Sequence, residues 1–246
     1  MTVAALLEVR NLSVTYGRVE AVRGVSLLVE AGEYVSIIGN NGAGKSSTLK
    51  AIAGVVRPAG GEVVLDGAPI TGMASYDIVR RGLSMVPEGR LIFADQTVED
   101  NLFLGAYSRP GGARSKEVSE DLERMFVLFP ILKDRRQQLA GSLSGGEQQM
   151  LALSRGLLSQ PRLLMIDEMS LGLAPRVLET LFPVIEMLNR DGLAVLLVEQ
   201  LATVALRYAH RSYVMEDSRI LLSGTSQELA NDERVIEAYL GRRKTG

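Results

Sequence analysis

The sequence predicts an α/β fold: a parallel sheet covered by helices, with a β-rich first part and an all-helical insert. Three observations on its 246 residues carry that expectation. From about residue 160 onward, short apolar runs alternate with segments of helical spacing, the pattern of parallel strands joined by covering helices. The first part of the chain is dominated instead by strand-like segments. From about residue 95 to 160 the segments read as helices alone.

Taken in order, residues 7–16 (LEVRNLSVTY) alternate and read as a strand, and residues 25–30 (VSLLVE) as a second. Residues 33–38 (EYVSII) form a third, apolar enough to be buried on both faces. A helix is expected from Lys45 to about Ala53, and a short strand at 63–66 before the Asp66-Gly67 turn. Thr97 with Asp100 opens a helix in a capping-box-like way, and residues 115–129 form another beyond Pro110-Gly111-Gly112. Ser144 with Glu147 opens a third, running to about Ser159. Strand 163–166, helix 176–189, strand 194–198 and helix 202–208 then alternate. A hairpin of 212–215 and 220–222 precedes two short helices, the first capped by Thr225 and Glu228.

Composition narrows the function classes. With 46% hydrophobic and 23% charged residues, the chain is an ordinary globular protein. Cysteine is absent and there is one histidine, which excludes a disulfide framework, thiolate metal sites and multi-histidine zinc. Lys and Arg number 27 against 29 Asp and Glu, with signs mixed along the chain, so no nucleic-acid partner is expected. The one basic run, Arg242-Arg243-Lys244, is short enough to be a solvated tail. No stretch is long and apolar enough to span a bilayer, and residues 1–7 lack a basic start and meet Glu8 at once. A soluble, cytoplasmic chain is expected, with any membrane role coming through a partner.

The chemistry lies in three segments. Gly39-Asn40-Asn41-Gly42-Ala43-Gly44-Lys45-Ser46 fits the phosphate-loop pattern, between a predicted buried strand and a predicted helix. Its glycines let successive N–H groups curl around phosphate oxygens, and the helix N-terminus adds a positive dipole end. Lys45 is suited to the β/γ-phosphates and the Ser46 hydroxyl to Mg²⁺. The apolar run 163–166 ends in Asp167-Glu168, two carboxylates at the end of a strand where parallel sheets present functional groups. Asp167 would hold Mg²⁺, directly or through water, and Glu168 would act on the attacking water. Alone, such a pair is more often just a solvated strand end. Third, Leu143-Ser144-Gly145-Gly146-Glu147-Gln148-Gln149 joins a serine cap to two glycines. Glycines in a first helical turn cost roughly 1 kcal/mol each, which suggests a purpose beyond capping.

These motifs, in this order and over nearly the whole chain, resemble the ATP-binding cassette (ABC) ATPases. The resemblance implies a P-loop NTPase fold, with a RecA-like core of mostly parallel sheet, an N-terminal antiparallel β subdomain and the helical insert. It implies one domain over 1–246, with 1–90 and 160–246 as nucleotide-binding core and 91–159 as helical signature subdomain. Carried over, Tyr16 matches the aromatic that stacks on adenine, Gly39 to Ser47 the Walker A loop, and Ser144, Gly145, Gly146 and Glu147 the signature. Asp167 and Glu168 match Walker B and the catalytic glutamate. In the family two subunits sandwich ATP, with the signature of one facing Walker A of the other, so ATP and Mg²⁺ are the implied cofactors.

The departures are informative. Glu88, in Val86-Pro87-Glu88-Gly89-Arg90, replaces the usual Q-loop glutamine, and Gln200 replaces the usual switch histidine. Ala174 stands where many members have aspartate, and Met169 where proline is common. VPEGR, SLGLAP, LLVEQ and the late AYLG are similar to the second ATPase subunit of branched-chain amino acid uptake transporters; Met169 fits no such pattern. The resemblance therefore implies an ATPase powering import of branched-chain amino acids, with a related urea or amide importer, or a soluble non-transport ABC ATPase, as alternatives. It implies integral-membrane permease partners, met through the region after Glu88 that includes Leu91-Ile92-Phe93, and a second ABC ATPase subunit or a second copy of itself; by itself that apolar run is equally readable as core packing. An external binding protein would act indirectly, and the chain would sit at the cytoplasmic face of the membrane. His210 lies too far along the chain to be the switch residue and is expected to be structural or solvent-exposed.

Overall fold

The computed structural model describes residues 5–240; Arg242-Arg243-Lys244 and the first four residues lie outside the described residues. The chain opens with a long hairpin of β1 (Ala5–Tyr16) and β2 (Val19–Glu30), then β3 (Tyr34–Ile38) and α1 (Lys45–Ile52). β4 (Gly60–Leu65), β5 (Ala68–Pro69), α2 (Ser75–Arg80) and β6 (Leu83–Val86) follow. Next come α3 (Val98–Gly105), α4 (Lys116–Leu128), α5 (Pro130–Asp134) and α6 (Gly145–Leu157), with no strand among them. β7 (Leu163–Asp167), α7 (Pro175–Arg190), β8 (Ala194–Glu199), α8 (Ala202–Tyr208), β9 (Arg211–Glu216) and β10 (Arg219–Thr225) restore the alternation. α9 (Ser226–Leu229) and α10 (Glu233–Val235) complete the described chain with a last helical turn at Ile236–Leu240.

The strands form two sheets. One is antiparallel, in the order β2-β1-β4-β5, and the other has the order β10-β9-β3-β8-β7-β6. In the second, β6, β7, β8, β3 and β9 are parallel and only β10 runs against its neighbour. This is the expected mixed architecture. β2 begins six residues before the expected strand, because Tyr16 pairs with Val19 across the Gly17 turn and β1 templates the whole hairpin. That pairing overrides the weak local signal of Arg23 and Gly24. The short elements α2, β5, β6 and α5 carry too few residues for a period to show and were not expected.

Period-two alternation in the central strands builds two cores rather than one. Leu164 and Ile166 of β7, with Val195 and Leu197 of β8, face the helices α3–α8. Leu163 and Met165, with Ala194, Leu196 and Val198, face α1 and the antiparallel sheet. Every residue of β3, β7 and β8 is buried, as near-continuous apolar runs in a covered parallel sheet require. Register aligns the strand ends: Ile38 lies opposite Glu199, and Asp167 opposite Val198. The segments after β3, β7 and β8 therefore leave the sheet at one edge.

Candidate nucleotide site

The phosphate loop leaves that edge between β3 and α1, and packing dictates two of its three glycines, Gly39 and Gly44. A Cβ on Gly39 would lie 2.3 Å from the Met215 carbonyl oxygen. At Gly44, φ is +104° and a Cβ would lie 2.3 Å from the Ala21 carbonyl oxygen. Asn40, Asn41 and Gly42 are exposed at the tip, and Ala43 is buried beneath it. Lys45, the first residue of α1, is 3% exposed and points back into the loop. Its Nζ donates to the carbonyl oxygens of Gly39 (2.9 Å) and Asn40 (3.1 Å).

The strand-end carboxylates meet this loop. The Ser46 hydroxyl donates to Asp167 Oδ1 at 2.8 Å, while Asp167 Oδ2 is buried without a partner. Burial pushes the Asp167 carboxyl up; the Ser46 hydrogen bond opposes this, and the neighbouring Glu168 charge adds to it. Glu168 Oε1 lies 3.0 Å from Lys45 Nζ, with both side chains more than nine-tenths buried. Glu168 holds φ +47°, a left-handed conformation unusual for a residue with a Cβ. Tyr16, Gly42, Gly44, Lys45, Ser46, Ser47 and Glu168 together line a cavity of about 250 Å³, into which the half-exposed Tyr16 ring brings an aromatic face. A second cavity of about 150 Å³ adjoins it, and Glu168 forms a wall of both; Ser170, Glu199 and Gln200 line the second.

Other expected residues lie apart. Glu88 is exposed in the loop after β6, and its charge contributes to raising the Asp167 carboxyl. Ser144, Gly145, Gly146 and Glu147 line neither cavity. They form a complete capping box at the start of α6, with Glu147 also paired to Arg135 at 3.1 Å. The two glycines have packing reasons of their own. A Cβ on Gly146 would meet Val177 at 2.8 Å, and one on Gly145 the Arg90 guanidinium at 3.1 Å. Arg90 also donates to Gln148 at 3.1 Å, which ties the loop of Glu88 to α6. His210 is structural: its Nδ1 accepts the Tyr34 N–H at 3.1 Å, at the start of β3. Met169 is buried in the core on the helical side. Sequence reasoning missed Ser170 and Glu199; an acid closing the apolar run 194–198, just before Gln200, was the available signal.

Chemically, the arrangement offers a cationic, N–H-rich cradle for phosphate oxygens and an oxygen pair beside it. A carboxylate stands within reach of both. Among the described residues no helix is long and apolar enough to cross a membrane.

Comparison with known proteins agrees with this geometry. Residues 22–170 match the ABC transporter family, and residues 219–245 match the family described as branched-chain amino acid ATP-binding cassette transporter. The high-affinity branched-chain amino acid transport ATP-binding protein BraG of Pseudomonas aeruginosa is 42% identical over 96% of this chain and 100% of its own length. The probable branched-chain amino acid transport ATP-binding protein LivF of Archaeoglobus fulgidus is 32% identical, over 96% and 99%. Among solved structures, a nucleotide-free ATP-binding cassette from an ABC transporter superposes with a TM-score of 0.85 at 25% identity, covering 97% of this chain and 100% of that one. A dimeric cassette in a post-hydrolysis state, bound to ADP and phosphate, gives 0.81 at 25% identity over 89% and 98%. The chain thus belongs to the ABC transporter family, as an ATP-hydrolysing subunit of the kind found in branched-chain amino acid transporters.

Proposed function

We propose that this chain hydrolyses ATP at the cavity between Tyr16, the phosphate loop and Glu168, and thereby powers import of branched-chain amino acids through membrane permeases. The observation that carries the reading is the convergence of Lys45, Ser46, Asp167 and Glu168 from two distant chain segments at one sheet edge. Lys45 and the loop N–H groups hold the β/γ-phosphates, and Tyr16 stacks on the base. Ser46 and Asp167, hard oxygen donors with one carboxylate oxygen unpartnered, fit Mg²⁺ and would hold it; bound there, it neutralises phosphate charge. Phosphate competes with Glu168 for the Lys45 ammonium, which frees the Glu168 carboxylate to orient the attacking water and accept its proton. The water oxygen bonds to the γ-phosphorus as the bond to the bridging oxygen breaks, leaving ADP and phosphate.

The segment Ser144 to Glu147, outside both cavities, serves the nucleotide of a second ABC ATPase, most simply in a heterodimer whose partner has a complete switch residue. The helical region 91–159 forms the subdomain that carries it. The exposed Leu91 and Phe93 offer the permease contact, which places the chain at the cytoplasmic face of the membrane with a binding protein acting indirectly. Lys45→Ala is expected to weaken ATP binding at least about 10-fold, and Glu168→Gln to bind ATP normally but lose turnover. Nucleotide titration and phosphate release on the purified complex check both. Near-normal affinity in the first, or retained single-site turnover in the second, refutes the corresponding assignment.

A further inference from the structure

Glu199 closes β8 with a buried carboxylate that takes no part in the proposed hydrolysis. Its side chain is 1% exposed, and acids this buried are kept only with partners. Oε1 accepts the Ser170 backbone N–H at 2.9 Å, and Oε2 accepts the Ser170 hydroxyl in a short hydrogen bond. Ser170 is also buried and stands two residues beyond Glu168. One step back along β8, the Val198 carbonyl accepts the Glu168 N–H at 2.9 Å. Successive residues of β8 thus grip both ends of the turn from Glu168 to Ser170, while Met169 is packed in the core between them.

This turn requires a grip. Glu168 holds φ +47°, and such a conformation persists in a side-chain-bearing residue only where the surroundings over-determine it. Glu199 also lies opposite Ile38, the residue before the phosphate loop, so the grip is referenced to the strand pair that launches Gly39. We infer that Glu199 is a positioning residue: through Ser170 it holds the left-handed turn that aims the Glu168 carboxylate at the nucleotide cavity. The inference rests on the proposed role of Glu168.

The side-chain chemistry separates the variants. An ionised carboxylate accepts both Ser170 donors. A glutamine keeps one acceptance, and the hydroxyl can turn to accept from its amide, so Glu199→Gln preserves both contacts. Glu199→Ala loses both, and Ser170→Ala loses only the hydroxyl arm. Steady-state hydrolysis and ATP affinity are measured on the complex of the full chain with its native companion subunits, with the Glu168→Gln complex setting the background. Glu199→Ala is expected to lower kcat on the order of 10- to 100-fold, with KM and ATP affinity unchanged within about threefold. Glu199→Gln restores most of the loss. Ser170→Ala gives a smaller fall in kcat, and adding it to Glu199→Ala costs little more, since both break one link.

An unchanged kcat in Glu199→Ala overturns the inference. So does a loss of ATP-binding protein that Glu199→Gln fails to rescue. Should Glu199→Ala not fold, an unchanged kcat in Ser170→Ala overturns it equally. If Glu168→Gln itself turns over normally, the role of Glu168 falls and the inference with it. An inactive Glu168→Gln beside a fully active Glu199→Ala defeats the positioning role alone.

Discussion

Asp167 carries a cost in stability that its proposed role in holding Mg²⁺ would explain. Burial holds its carboxyl above the usual aspartate range, and one of its oxygens has no protein partner. An acid whose pKa is raised by folding binds its proton more tightly in the folded state. It therefore destabilises the fold at pH above the raised pKa, and this penalty fades as pH falls through it. Asp167→Asn keeps an acceptor for the Ser46 hydroxyl and removes the buried charge. In buffer free of nucleotide and Mg²⁺ the variant is expected to melt roughly 2–4 °C higher at neutral pH, the shift worth about 1 kcal/mol in a domain this size. The gain should vanish on acidification, and scanning calorimetry across pH checks both halves. Gln200 makes a second point at this scale. It lines the cavity shared with Glu168 but carries an amide, which hydrogen-bonds without sharing a proton as an imidazole can. Gln200→His in the reconstituted complex is expected to raise turnover at this site at least about 10-fold. An unchanged rate would show that the amide is no handicap.

Among the elements, the loop between β3 and α1 tolerates little change. Gly44→Ala would place a methyl group at φ +104°, 2.3 Å from the Ala21 carbonyl and 2.7 Å from Met215 Cε. Left-handed strain and overpacking together predict a loss of about 2–4 kcal/mol. A lowered urea midpoint with an unchanged m-value would report it; a shift below about 0.5 kcal/mol would mean the loop relaxes freely. The start of α6 teaches restraint of a different kind. Two glycines in a first helical turn suggest a ligand approaching closely, yet Val177 and Arg90 already occupy the space their Cβ atoms would take. Packing is a sufficient reason at Gly146, while at Gly145 a Cβ would only press on the end of the Arg90 side chain, so the proposed role of this segment rests on its place outside its own chain's cavities and on the family, not on the glycines.

At the scale of the molecule, the central sheet separates two cores, and the proposed nucleotide site lies at the edge where β3, β7 and β8 end. Leu91, 66% exposed, and Phe93, 53% exposed, belong to neither buried core; Phe93 instead stacks against Arg155 at 5.6 Å. Phe93→Asp is thus expected to leave Tm within about 2 °C, since exposed substitutions away from special features shift stability little. ATP affinity should likewise be unchanged, while co-purification with the permeases falls. An unfolded variant would assign Phe93 to core packing, and retained association would remove it from the permease contact.

The residues alone determined the class of fold, the longer strands and helices, and the chemical character of each motif. These properties are local: apolar period, caps, and a glycine spacing that matches a loop between strand and helix. The resemblance of the three motifs supplies the family and points to Lys45, Ser46, Asp167 and Glu168. Tertiary structure decided what depends on partners far along the chain. The early half of β2 exists because β1 pairs with it. Met169, without a role in the sequence, is core, and His210 caps the start of β3. The contact between Lys45 and Glu168, and the grip of Glu199 on Ser170, join residues 123 and 29 positions apart. No local period encodes such contacts; they arise because parallel strands end in register at one edge, where separate segments are brought within hydrogen-bonding distance.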